Sequence, residues 1–189
     1  MTNTEDQLYI ERVKRGDSFS FSFLVDKYKH MAYTIAMKIM RNEEDAEDAA
    51  QEGFIRAYQQ IHTFQGKSKF STWLYTIIYR VSISKWKENK LSTSSLDNET
   101  SQSYNPDHAI PQLEQLHAQQ QQWYIKKAVD RLPPTEGLLV TLFYMDDKSV
   151  KEIQEITGFS VANIKVKLFR ARKKLERELQ FLLQHETMN

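Results

Sequence analysis

Residues 149–177, SVKEIQEITGFSVANIKVKLFRARKKLER, decide the reading of the fold. Ser149-Val150-Lys151-Glu152 has the form of a capping box, a serine that caps a helix start and a glutamate three positions on that reaches back. Gly158-Phe159 ends that short helix, and Ser160 suits the cap of a second, so helix, tight turn and helix follow within about 35 residues. On the second helix Val161, Ile164, Leu168, Ala171, Leu175, Leu179 and Leu182 advance by threes and fours and form one inward stripe. The opposite face carries Val166, Phe169, Arg170, Lys173 and Arg177, flanked by Lys165, Lys167, Arg172 and Lys174. This is the pattern of a helix laid in a DNA major groove. By position, Lys165, Val166, Phe169 and Arg170 reach base edges, while Lys167, Arg172 and Lys173 grip phosphates. Phe169 points away from the apolar stripe, and contact with a thymine methyl or a sugar gives it a purpose. The plainer alternative is a solvated basic helix with Phe169 docked on its own domain.

Outward from this motif, almost every periodic segment has helical spacing, and the few glycines and prolines fall between such segments. The expected fold is all-α, two small helical domains joined by a flexible linker. The first, residues 1–90, has helices near Glu5–Arg15, Phe19–Met40, Glu43–Ile61 and Ser71–Lys90, broken at Gly16-Asp17, Asn42 and Gly66. Residues 91–112 are rich in Ser and Thr and contain Pro106 and Pro111, too polar to bury a face, and read as the linker. Residues 113–189 form the second domain, with helices near Gln112–Leu132, Thr135–Tyr144, Val150–Thr157 and Val161–Leu183.

Composition excludes several function classes. There is no cysteine, so disulfides, thiolate catalysis and Cys-ligated zinc are out, and the five histidines show no paired ligand spacing. No metal and no cofactor is expected. No stretch approaches the roughly 18 apolar residues of a membrane span, and the first residues lack the basic and apolar regions of a signal peptide, which places the chain in the cytoplasm. No nucleophile with a base partner and no phosphate loop appears, so the chain does not read as an enzyme.

A net charge of +1 conceals segregation. Between Glu43 and Glu52 lie six acidic residues and no basic one, whereas Lys67–Lys90 and Val161–Glu178 each net +5. Two surfaces therefore suit anions and one suits cations. Asn42 can cap the acidic helix, and Glu43, Glu44 and Asp45 complement its dipole. That effect fades after one turn and leaves Asp48, Gln51 and Glu52 without a reason. With Ala46, Ala50, Gly53, Ala57 and Ile61 facing inward, these three share the outer face with Ile55 and Gln59. An acidic rim around apolar Ile55 suits a protein partner presenting arginines, and a solvated acidic helix is the open alternative.

The run Asp45–Tyr58, DAEDAAQEGFIRAY, followed by Phe70–Tyr75, FSTWLY, resembles region 2 of the extracytoplasmic-function sigma factors of the sigma-70 family. Leu132-Pro133-Pro134-Thr135 through Leu175 is similar to region 4 of the same family, and order and spacing of both parts agree. The resemblance implies a promoter-recognition factor for RNA polymerase. Asp48, Gln51, Glu52 and Ile55 then map onto the surface that binds core polymerase. His62–Lys69 and the next helix map onto the part that reads the minus-10 element and captures a flipped base. Lys67, Lys69, Tyr79, Arg80, Lys85, Trp86 and Lys87 are the residues expected to bind there. Tyr75, Tyr79 and Trp86 line up on the outward face of that helix, with core packing as the alternative, and Trp73 is expected in the core beside Phe70. Lys165, Val166, Lys167, Phe169, Arg170, Arg172 and Lys173 map onto minus-35 contacts. Arg80, Ser84 and Lys87 stand where the family usually has Asn, Asp and Arg. The resemblance also implies an anti-sigma factor, often membrane-bound, that holds the protein until a signal releases it. The competing reading is a free-standing helix-turn-helix regulator binding operator DNA as a dimer.

Overall fold

The computed structural model describes residues 4–92 and 117–186. The linker expected at 91–112 lies outside them from residue 93 onward, as do positions 112–116 of the helix expected to begin at Gln112. Among the described residues every regular element is helical: α1 Thr4–Lys14, α2 Ser20–Met40, α3 Glu43–Gln60, α4 Phe70–Ser92, α5 Ala118–Arg131, α6 Pro134–Val140, α7 Val150–Thr157 and α8 Val161–Glu186. The all-α expectation holds. The residues fall into two compact units, one of residues up to 92 with Lys148–Phe159, the other of residues 117–147 and 160–186.

In the first unit α2, α3 and α4 pack against one another, α1 lies on α2, and α7 packs on α4. Ile10, Leu24, Ile35, Ile61, Phe70, Leu74 and Ile78 are at most 1% exposed and form the core. Local chemistry sets the helix ends. The Asn42 side chain accepts from the Asp45 N–H at 3.0 Å, capping α3. Arg41, at φ 59°, turns the chain out of α2 without a glycine. Asp6 is 3% exposed and accepts from Lys27 and from the Tyr28 hydroxyl, both at 2.6 Å, which pins α1 to α2. α3 and α4 approach closely at Gly53, where an added Cβ would sit 2.3 Å from Ile78 Cδ1 and 3.3 Å from its Cα.

In the second unit α5 and α6 both pack on α8. Tyr124 and Ala128 of α5 meet Leu179, Leu182 and Leu183 of α8, with Ile125 and Leu175 at the edge. The helix expected at Thr135–Tyr144 is shorter. α6 ends at Val140 and passes into a π-helical turn, Thr141–Met145, closed by a bond from the Asp146 N–H to the Thr141 carbonyl at 3.1 Å. Residues 136–142 are buried on every side, so this segment has no polar face to set a helical period.

Candidate nucleic-acid interface

On α3, Ala46, Ala50, Gly53 and Ala57 face inward as expected, and Asp48, Gln51 and Ile55 are exposed, Ile55 by 57%. Glu52 differs from its neighbours. It is half-buried, paired with Arg56 one turn on and with Lys85 of α4 at 3.1 Å. The hydrogen bond from Lys85 lowers its carboxyl below the ordinary value, outweighing burial, and Arg56 adds to the effect. Glu52 and Lys85, assigned from sequence to separate surfaces, therefore share one ion pair. Asn89 and Asp45 meet near it at 3.4 Å.

The loop from Phe64 to Lys69 enters α4, whose residues separate by depth. Lys67, Arg80, Trp86 and Lys87 are exposed, and Tyr79 is half-buried, its phenol pushed up by that burial. Trp73 packs at 5.4 Å from Phe64 and 5.6 Å from Phe70, as core packing requires. Tyr75 does not face outward. It is 2% exposed, edge-on to Tyr28 at 6.1 Å, with the Lys148 ammonium 5.2 Å from its ring. It shares a stripe with Tyr79 and Trp86, but the near end of that stripe is covered.

The cover is α7 with Lys148 just before it. Lys148 is 7% exposed and donates to Ser71 at 3.0 Å. Glu152 divides its carboxylate. Oε2 accepts from the Ser149 N–H at 2.9 Å and hydroxyl at 2.7 Å, completing the capping box. Oε1 takes the Lys69 ammonium at 3.0 Å and the Thr72 hydroxyl at 3.3 Å. The box was readable from Ser149 and Glu152 alone. Nothing in the local pattern marks Lys69 or Thr72 as the partners of the second oxygen.

In the second unit, Ser160 caps α8 by accepting from the Asn163 N–H at 3.2 Å. Ile164, Leu168, Ala171, Leu179 and Leu182 are buried and Leu175 half-buried, while Val161, in the first turn, is 38% exposed and does not join the inward stripe. Lys165, Val166, Phe169, Arg170 and Arg172 are exposed, and Lys167 and Lys173 half-exposed. The Phe169 ring is 54% exposed with the Lys173 ammonium 4.5 Å from its centroid, so it is not docked into its own domain. Lys174 turns inward to Glu136, 4% exposed, at 3.0 Å, and so fastens α8 to α6.

Two family models match: Sigma-70 region 2 over residues 24–91 and Sigma-70, region 4, over residues 122–175. The chain is 33% identical to the ECF RNA polymerase sigma factor SigW of Bacillus subtilis over 185 residues, covering 92% of this chain and 96% of SigW. It is 29% identical to the RNA polymerase sigma-H factor of Pseudomonas aeruginosa, covering 97% of this chain and 98% of the relative. Among solved structures, the sigma factor RpoE in complex with the anti-sigma factor NepR from Bartonella quintana has a similar fold, at TM-score 0.62 and 20% identity, covering 85% of this chain and 96% of that one. The region 2 match over residues 24–91 disfavours a free-standing operator-binding regulator. No helix among the described residues is long and apolar enough to cross a membrane. With region 2 and region 4 matched in order and a relative 33% identical over nearly its whole length, this chain, with its acidic, outward α3 face, basic α4 and capped, basic α8, is a member of the extracytoplasmic-function RNA polymerase sigma factors of the sigma-70 family.

Proposed function

We propose that the chain, working in the cytoplasm, binds core RNA polymerase through the outer face of α3, engages the minus-10 element with the 62–69 loop and α4, and reads the minus-35 element with α8. The polymerase performs the chemistry, and the chain supplies address and strand separation. The observation that carries this reading is the capped, basic N-terminal half of α8, which holds an apolar ring 54% exposed between Lys165 and Arg170. A bare aromatic amid cations fits a DNA groove, where sugars and thymine methyls meet phosphates. Asp48, Gln51 and Ile55, exposed together, fit a basic protein partner. The NepR complex of a relative supports a protein inhibitor for this chain too, one that covers these surfaces until released.

Purified protein mixed with core polymerase should start transcription at a defined promoter. Asp48, Gln51 and Glu52 changed together to alanine should abolish holoenzyme assembly while the helical circular dichroism is kept. Assembly retained by that variant would mean that the polymerase-binding face lies elsewhere.

A further inference from the structure

The loop between Ile61 and Phe70 is held from a helix outside the region 2 match. Lys14, the last residue of α1, donates its ammonium to the Phe64 carbonyl at 2.9 Å, across fifty positions of sequence. The same ammonium stands 6.0 Å from the Phe64 ring centroid and 3.8 Å from Glu11. Phe64 itself is 3% exposed, edge-on to Phe70 at 5.5 Å and against Trp73 at 5.4 Å. One side of this residue is thus set by aromatic packing and its carbonyl by a charge-assisted hydrogen bond. Beyond it the chain turns through Gly66, at φ 70°, and presents Lys67 to solvent. A lysine at the C-terminal end of α1 is also favoured by the helix dipole, which steadies the ammonium where the carbonyl needs it.

We propose that Lys14 is a positioning residue for the 64–69 loop, so that α1 sets the geometry with which the loop takes up the melted minus-10 strand. The inference rests on the reading that this loop engages that strand. Lys14 touches no DNA base in this scheme. It fixes the point from which Gln65, Gly66 and Lys67 depart, and a base pocket misplaced by a fraction of an ångström loses much of its hold.

The test uses reconstituted holoenzyme and a promoter fragment identified by mapping its transcription start, once as duplex and once with a mismatched bubble over the minus-10 element. Lys14→Met keeps the apolar stem and removes the donor. Holoenzyme assembly and binding to a duplex carrying only the minus-35 element should be unchanged. Binding to the bubble, and permanganate reactivity of minus-10 thymines on the duplex, should fall by on the order of tenfold, the weight of one hydrogen bond to a charged group. Lys14→Arg, which can still reach the carbonyl, should restore most of the loss. Equal losses in assembly and both DNA readouts, no loss at all, or a failure of arginine to rescue would each overturn the proposal. A wild-type holoenzyme that never opens the fragment would instead sink the underlying functional reading and the inference with it.

Discussion

Glu152→Gln tests whether the α7 contact is held by charge. Burial alone would push the Glu152 carboxyl up, but the Ser149 hydrogen bonds and the Lys69 ammonium outweigh it and bring it from 4.5 to about 2. The Glu152 side chain is 15% exposed but the Lys69 side chain is 49% exposed, so solvent screens part of the Lys69 contribution. A folded value below the unfolded one stabilises wherever the carboxylate is ionised in both states, and that stability is lost as pH falls from 4.5 toward 2. Before that screening the gap amounts to at most roughly 3 kcal/mol at pH 7, of which roughly half remains at pH 3. Glutamine can still accept from Ser149 and loses only the charge presented to Lys69, so the variant should cost about 1.5 kcal/mol at neutral pH, the weight of one charge-assisted hydrogen bond, and about half that at pH 3. The assay is amide hydrogen exchange across Val150–Thr157 and the first turns of α4, in both proteins and at both pH values, corrected for intrinsic rates. Protection should fall by roughly tenfold at pH 7 and by about threefold at pH 3. An equal loss at both pH values would refute the electrostatic account, leaving only the shape of the contact.

Two further outcomes concern packing and recognition. Gly53→Ala should lower stability by about 1–2 kcal/mol in urea denaturation, because the clash with Ile78 outweighs the helix preference of alanine, and Ile78→Val in the same chain, lacking Cδ1, should recover part of it; a Gly53→Ala variant more stable than wild type would show that α3 and α4 are not this close. Phe169→Ala should weaken binding to a minus-35 duplex about tenfold in fluorescence anisotropy while changing stability by less than about 0.5 kcal/mol, since an exposed ring contributes little to the fold; lost stability with unchanged binding would place the ring in the core.

Helix ends were legible because their causes are local. Asn42, Ser149 and Ser160 each cap a helix through an N–H three residues away, and Gly158, at φ 77°, ends α7 where its type and place suggested. What escaped was the environment along a single stripe. Tyr75, Tyr79 and Trp86 share one angular position on α4, yet they are buried, half-buried and 38% exposed in turn. Periodicity gives an angle about the helix axis. It does not say how far along that axis a neighbour extends, and α7 covers only the near end. Val161 departs in the same way: it shares the stripe with Ile164, yet it is 38% exposed where Ile164 is 0%. The π-helical turn after Val140 left no trace either, since residues 136–142, which lead into it, are all buried and carry no period.

The same distance problem governs charge. Lysines of the cation-rich segments are taken up by carboxylates distant in sequence: Lys85 by Glu52 of the anion-rich segment, Lys69 by Glu152, Lys174 by Glu136. Formal counts therefore overstate the cations that can displace counterions from DNA. For Lys69 to meet a phosphate it has to leave Glu152, so one ion pair is exchanged for another and the gain is a difference, not a whole contact. Lys67, Arg80 and Lys87 are exposed, and among the described residues none of these three is held in such a pair. The salt dependence of minus-10 binding should accordingly follow these three residues more than the six basic residues between Lys67 and Lys90. On the proposed function, Glu152→Gln should also release Lys69 and so tighten binding to a minus-10 bubble at the same time as it loosens α7. A single substitution that destabilises the fold and strengthens DNA binding is what an internal carboxylate competing with phosphate requires.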